Sequence, residues 1–342
     1  MAAQPAAGDV GVIGLGTMGG QIARHLLEAG YRVVGTDIRP DRAAALAARG
    51  GSCAGSAAEV AARADTVITS LPSVQAFEDV ISEAAGAAPP RLTVIEASTL
   101  PLAVKERGRE LLAGRGAVLL DCPISGTGAQ MRTKDVVVYA SGDAAALERV
   151  GPVLAAFSRQ WLDMGAFGNG TKLKLVANLL VAIHNVAAAE ALLVAGRAGL
   201  EPRAALAALT AGAGTSRMLE VRGPLMLDGG YGEATMQVQT FAKDLDIIAG
   251  FARDLCCPTP LFGTAAQVHL AALAQGHAAD DTASVFAVLH RLAGGDGAGD
   301  GGDGDGGDGD GGDGDGGDGD GGAAAAAAGQ QAAGGGQRPG AA

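Results

Sequence analysis

A chain of 342 residues has room for two domains, each with its own core. Its formal charge of −12 is concentrated at one end: residues 294–342 carry ten Asp and one Arg, so the first 293 residues hold only −3 and offer no basic face for nucleic acid. Four cysteines without a C-x-x-C spacing suggest neither a zinc site nor a disulfide framework and fit the reduced thiols of a cytoplasmic protein; residues 1–9 lack a signal-peptide pattern, and no run of about 18 apolar residues free of polar interruption argues for a membrane span.

Residues 10–15 are a short apolar run ending in Gly14-Leu15-Gly16. A helical pattern follows (Met18, Ile22, Leu26, Leu27), stopped by Gly30, and residues 31–36 read as a strand ending at Asp37. The spacing Gly14-x-Gly16-x-x-Gly19 thus sits between a strand and a helix, with an acid 23 residues after the first glycine. That is the fingerprint of a dinucleotide site. Gly14 permits the tight turn, Gly16 lets the backbone approach a pyrophosphate, Gly19 allows close helix–strand packing, and the helix N-terminus supplies N–H donors. Asp37 is expected to accept the adenosine ribose hydroxyls and to repel a 2′-phosphate, which favours NAD over NADP. Arg39, two residues on, softens that preference.

The alternation continues with strands at 66–71, 92–96, 117–121 and 136–140 and helices at 42–48, 57–63, 74–84, 102–112 and 144–157. This predicts an α/β fold, an open and mostly parallel doubly wound sheet covered on both faces. Ligands in such sheets bind beyond the carboxyl ends of the strands, where Leu71-Pro72, Ser98-Thr99 and Pro123-Ile124-Ser125-Gly126 fall. Ser125-Gly126-Thr127-Gly128 presents two hydroxyls and unshielded N–H groups that suit a small carboxylate; the plainer reading is a strand-to-helix loop with Ser as the cap.

Gly168 and Gly170 then punctuate a loop, and the pattern that follows predicts a helix of about 26 residues. Most of its surface is apolar, yet Lys174, Asn178 and Asn185 fall on one stripe. A buried amine costs free energy unless it is paired or used, the alternative being a lysine that snorkels at a helix end. After residue 170 the strand signal vanishes, and helical patterns cover 202–209, 215–222, 241–254, 260–273 and 282–292, an all-α domain joined through the long helix. Taken by itself, Lys243-Asp244 reads as a solvated helix face. His184, His269 and His290 stand singly, as packed or surface residues without metal-ligand spacing. The period-five Gly/Asp repeat within 294–342 cannot bury apolar surface and is expected to be a disordered acidic tail. The expected division is therefore 9–168 for dinucleotide binding, 169–293 for a helical substrate and dimerisation domain, and 294–342 for the tail.

Four motifs occur in order: Gly14-Leu-Gly-Thr-Met-Gly19, Asp121-Cys-Pro-Ile-Ser-Gly126, Gly168-Asn-Gly-Thr-Lys-Leu-Lys174-Leu-Val-Ala-Asn178 and Lys243-Asp244-Leu245. Over about residues 9–292 the chain resembles the β-hydroxyacid dehydrogenase family. The resemblance implies a Rossmann domain followed by a helical domain that mediates homodimers or homotetramers. It implies that the first turn, with Leu15, Thr17 and Met18, holds the cofactor together with Leu71 and Pro72, that Thr99 lies by the nicotinamide, and that Lys243 lines the cleft. Lys174 is the implied catalytic residue with Asn178 beside it, and Ser125, Gly126 and Asn178 are the implied substrate contacts, next to Thr127. Ala177, where the 6-phosphogluconate dehydrogenases have His, argues against that activity, and Lys174 argues against imine reduction. Gln130, Met131 and Arg132 depart from the family's usual Gly-Ala and Gly-Thr. The expected reaction is hydride transfer between NAD and the hydroxyl carbon of a small, 3-hydroxyisobutyrate-like β-hydroxy acid. The alternative is NADPH-dependent reduction of tartronate or succinic semialdehyde, and a non-catalytic dinucleotide sensor is the reading from a different class.

Overall fold

The computed structural model describes residues 9–295, so the expected tail lies outside the described residues from 296 onward. The chain opens as β1 (Asp9–Ile13), α1 (Gly19–Glu28), β2 (Arg32–Thr36), α2 (Pro40–Ala47), β3 (Ser52–Cys53), α3 (Ala57–Arg63), β4 (Thr66–Thr69), α4 (Val74–Ala87), β5 (Thr93–Glu96), α5 (Leu102–Ala113) and β6 (Val118–Asp121). These strands pair in parallel in the order β3-β2-β1-β4-β5-β6. The order runs outward from β1 in both directions, so a crevice opens where β1 meets β4, at the carboxyl ends. Alternate strand residues feed two cores. Val12, Ile68, Ile95 and Leu120 pack with Ile22 and Leu26 of α1 on one face, and Ile13, Val67, Val94 and Leu119 pack with Phe77, Ile81 and Leu112 on the other.

The large sheet differs from expectation in two strands: the short edge strand β3 joins it unforeseen, and residues 136–140 leave it. After β6 the chain forms β7 (Ile124–Ser125), α6 (Gly128–Arg132), β8 (Val137–Ala140), α7 (Ala144–Phe157) and β9 (Gln160–Asp163). Residues 136–140 were expected to extend the large sheet; instead β8 belongs to a separate three-stranded sheet, antiparallel to β7 and parallel to β9. The stretch between β7 and β8 holds only the one-turn helix α6, too little chain for a parallel crossover, so it folds back antiparallel.

The helical half is α8 (Asn169–Arg197), α9 (Pro202–Ala211), α10 (Arg217–Asp228), α11 (Val238–Asp254), α12 (Pro260–Ala274) and α13 (Val285–Leu292). At 29 residues α8 is about 43 Å long. By length and hydropathy it is long and apolar enough to cross a membrane, although no single run in the sequence is free of polar residues. Here it is the central strut of the helical domain, packed against α9, α10, α11, α12 and α13.

How α8 begins matters most for the site. Its cap is Gly168, with φ +91 and no side chain to satisfy the first N–H groups. Those donors go to the sheet instead: Gly170 N to Ser141 Oγ at 3.0 Å and Thr171 N to Asp121 Oδ2 at 2.7 Å. A carboxylate there also complements the helix dipole. A Cβ on Gly170 would stand 2.2 Å from Tyr139 O, so only glycine lets the helix approach this closely. Asp121 further accepts Thr171 Oγ1 at 2.6 Å and Lys105 Nζ at 2.8 Å, and both charged side chains are fully buried.

Lys105→Met should leave the Asp121 charge without its cation inside the protein, and breaking a buried pair this way costs about 3–5 kcal/mol. Urea denaturation followed by circular dichroism measures it; a loss below about 1 kcal/mol would show that the pair does not hold the helix to the sheet.

Candidate active site

The glycine turn is shaped by contacts that exclude side chains. Gly14 has φ +87, and a Cβ there would lie 2.3 Å from Ser70 O; one on Gly19 would lie 1.8 Å from Gly14 O. A Cβ on Gly16 would meet the Arg42 guanidinium, with Nη1 at 3.4 Å. Met18 caps α1 without a side-chain bond, so the first-turn N–H groups have no side-chain cap. This cradle fits a dinucleotide pyrophosphate. Thr17 packs on α6, within 2.5 Å of where a Gly128 Cβ would be.

Asp37 follows β2, as the fingerprint requires, and its carboxylate is already engaged. It accepts Leu15 N at 2.7 Å, Arg39 N at 2.9 Å and Arg42 Nη1 at 3.3 Å. The guanidinium beside it is therefore that of Arg42; the Arg39 side chain pairs with Asp41 at 2.8 Å. The other strand ends converge on the same crevice. Leu71 N donates to Ser98 Oγ at 2.8 Å, while Pro72 is exposed. Ser98 N donates in turn to the fully buried Glu96, which also accepts Thr69 Oγ1. Glu96 thus sets both loops, and its only signal in the sequence was an acid closing an apolar strand.

In the β7–α6 turn, Thr127 and not Ser125 is the helix cap. It forms a capping box with Gln130: the Thr127 N–H donates to Gln130 Oε1 at 3.0 Å, and the Thr127 hydroxyl oxygen accepts the Gln130 N–H at 3.4 Å. That leaves Ser125, whose hydroxyl has no hydrogen-bond partner among the described residues. Gly126 has φ +142, and a Cβ there would meet Val136 at 2.7 Å.

Lys174 lies one turn beyond the α8 clamp and is 6% exposed. Burial pulls its amine down to about 8; the Asp244 charge opposes that shift and the Lys243 charge adds to it. Asn178 Nδ2 donates to Asp244 Oδ2 at 3.0 Å. Lys243 Nζ lies 3.4 Å from Asp244 Oδ1 and donates to Thr99 O at 2.7 Å, which ties α11 to the end of β5. Lys174, Asn178, Lys243 and Thr99 are therefore brought together around Asp244. The residue missing from the expectation is Asp244. It is buried rather than solvated, and its carboxyl is pushed up by burial against the pull of Lys243, Lys174 and Asn178. Its signal was positional: Phe241, Asp244, Leu245 and Ile248 share the buried face of α11. Asn185, further along the α8 stripe, donates instead to Thr282 O at 2.7 Å and belongs to the helical core. His269 is likewise packed, edge-on to Phe241 and lowered to about 4 by burial and the Arg222 charge.

Residues 9–165 match the family described as the NAD binding domain of 6-phosphogluconate dehydrogenase, and residues 168–289 match the NAD-binding domain of NADP-dependent 3-hydroxyisobutyrate dehydrogenase. L-threonate dehydrogenase of Cupriavidus necator is 36% identical over 284 residues, 82% of this chain and 95% of that protein. The solved 3-hydroxyisobutyrate dehydrogenase of Salmonella typhimurium is 32% identical, with a TM-score of 0.75 over 82% of this chain and 99% of that one. The Mycobacterium tuberculosis 3-hydroxyisobutyrate dehydrogenase solved with L-serine is 27% identical, with a TM-score of 0.76 over 83% and 99%. The chain belongs to the β-hydroxyacid dehydrogenase family, nicotinamide-dependent oxidoreductases that act on the hydroxyl group of small hydroxy acids.

Proposed function

We propose that this chain is an NAD-dependent dehydrogenase of a small β-hydroxy acid resembling 3-hydroxyisobutyrate, with Lys174 as its general acid and base. The observation that carries the reading is a buried amine lowered to about 8 beside Asn178 and Asp244. An ordinary lysine, near 10.4, is a poor base at neutral pH, whereas one near 8 exchanges protons readily.

Bound nicotinamide supplies the hydride acceptor. In oxidation, neutral Lys174 Nζ takes the substrate hydroxyl proton; in reduction of the matching semialdehyde acid, protonated Nζ returns it. Asn178, pinned by Asp244, orients the amine and the hydroxyl. The Ser125 hydroxyl and the Gly126 N–H bind the substrate carboxylate, with Thr127 supporting them mainly as the cap of α6. The turn Gly14–Gly19, with Asp37, Leu71, Pro72 and Thr99, holds the dinucleotide, and Lys243 closes the cleft. Residues 9–168 then bind cofactor, and 169–293 supply the amine and associate into a homodimer or homotetramer, to which the exposed Leu261 and Leu270 on α12 contribute.

Lys174→Ala should lower turnover of the best substrate among 3-hydroxyisobutyrate, L-threonate and L-serine by about 10²–10⁴-fold while NADH still binds. Turnover within a few-fold of the unaltered protein would remove the mechanism. Since only neutral Lys174 acts as a base, kcat/KM for oxidation should rise with pH and level off above about 8. Asp244 holds the amine's pKa up, so Asp244→Asn should move that midpoint to lower pH; an unmoved or raised midpoint would contradict the pairing.

A further inference from the structure

Residues 229–237 link α10 to α11 and have little local reason to hold one shape. Gly229, Gly230 and Gly232 are costly to order, and a Cβ on any of them would meet nothing within 4 Å. Yet the segment forms one wall of a cleft of about 360 Å³ whose other wall includes Thr17 of the glycine turn and Gly128 of α6. Its own contribution runs from Gly232 to Thr235, with Gln237. Met236, between them, packs with the apolar cluster of Leu175, Phe241 and Leu245, which are chain neighbours of Lys174 and Asp244. The segment therefore stands between the glycine turn and the face of α8 beside Lys174.

Its shape is imposed from a distant part of the chain by Asp281, which has no contact with solvent. Oδ2 of Asp281 accepts Thr235 N at 2.8 Å, Thr235 Oγ1 at 2.8 Å and Met236 N at 3.2 Å. Oδ1 accepts Arg222 Nε at 3.2 Å and Ala283 N at 3.0 Å. The main chain continues the seam: Asp281 N donates to Tyr231 O, Thr282 N to Met236 O and Val238 N to Asp280 O. Arg222 is buried as well, and its Nε also donates to Thr282 Oγ1 at 2.8 Å. Asn185, on the same stripe of α8 as Lys174, donates to Thr282 O and so ties this corner to the helix that carries the amine. A buried ion pair contributes little net stability, because desolvation offsets the attraction. What this one fixes is the geometry of the segment.

We propose that, in the dehydrogenase reaction proposed above and resting on that reading, Asp281 and Arg222 are positioning residues: they hold residues 231–238 as a strap that walls the cleft and keeps substrate between the glycine turn and Lys174. Neither touches the reacting atoms. Their effect passes through the strap, so it falls on how well substrate is held. The proton affinity of Lys174 is set by burial, Asp244 and Lys243, which they leave in place.

The test uses the full chain and three variants. Thr235→Val deletes one bond to Asp281, Thr235→Ser keeps it, and Asp281→Asn turns an NH₂ group against donors at one of the two oxygens. With the best substrate among 3-hydroxyisobutyrate, L-threonate and L-serine, Thr235→Val should raise KM by about threefold to tenfold and leave kcat within about twofold, because apparent affinity falls with the seated fraction of the strap. Asp281→Asn should raise KM further, and in both variants the pH midpoint of kcat/KM should stay near 8. Thr235→Ser should behave as the unaltered protein. A second readout needs no turnover: glutamyl endopeptidase, followed by mass spectrometry, should cut after Glu233 several-fold faster in Thr235→Val than in Thr235→Ser. If Asp281→Asn does not fold, the two Thr235 variants decide. An unchanged KM in Thr235→Val, a KM that rises equally in Thr235→Ser, or equal cutting after Glu233 overturns the proposal. An unaltered protein that oxidises none of the three acids overturns the dehydrogenase reading, while the cutting rates still decide whether Asp281 seats the strap.

Discussion

One carboxylate, that of Asp121, ties the two halves of this protein together beside the proposed catalytic amine. It ends β6 without contact with solvent, neutralised by Lys105, and accepts the first-turn N–H and the hydroxyl of Thr171. A helix that starts at a glycine has no cap of its own, so the sheet supplies one. Lys174 lies three residues beyond Thr171, and its position is inherited from this clamp. The strand that carries Asp121 also leads into Ser125 and Gly126, so the groups proposed to hold the substrate carboxylate and the amine share one mechanical origin.

The amine itself is set by a balance of opposing charges. Burial and Lys243 favour the neutral form, and Asp244 favours the charged form. Burial prevails, but only part of the way, which leaves an amine that can both give and take a proton near neutral pH. Asp244 contributes twice, through its charge on Lys174 and through its hydrogen bond from Asn178. Lys243, bonded to Thr99 O, makes this balance depend on α11 being seated against the dinucleotide domain. Cleft geometry and proton affinity are therefore coupled.

Much of this was legible in the sequence because it rests on local rules. The glycine spacing, the strand–helix alternation and the Lys174–Asn178 stripe each follow from steric or helical periodicity, and each appears where expected. What was not legible depends on partners distant in the chain. Asp244 looks like a solvated acid until α11 packs on α8. The pairing of Lys105 with Asp121 needs β6 and α5 to be side by side. The departure of β8 from the large sheet follows from how little chain separates it from β7. At Asp37, Arg39 is the nearer arginine in sequence, but Asp41 holds it, and Arg42 on the first turn of α2 takes its place.

The central claim is that the Lys174 amine exists inside the protein with a lowered proton affinity before any substrate arrives. Carbon-13 NMR titration of lysine ε-methylenes in the free protein, with the Lys174 signal assigned by its loss in Lys174→Arg, measures this without turnover. The account predicts a midpoint near 8. A midpoint near the ordinary lysine value of about 10.4 would mean the amine is solvated, and the acid–base role would fall with it.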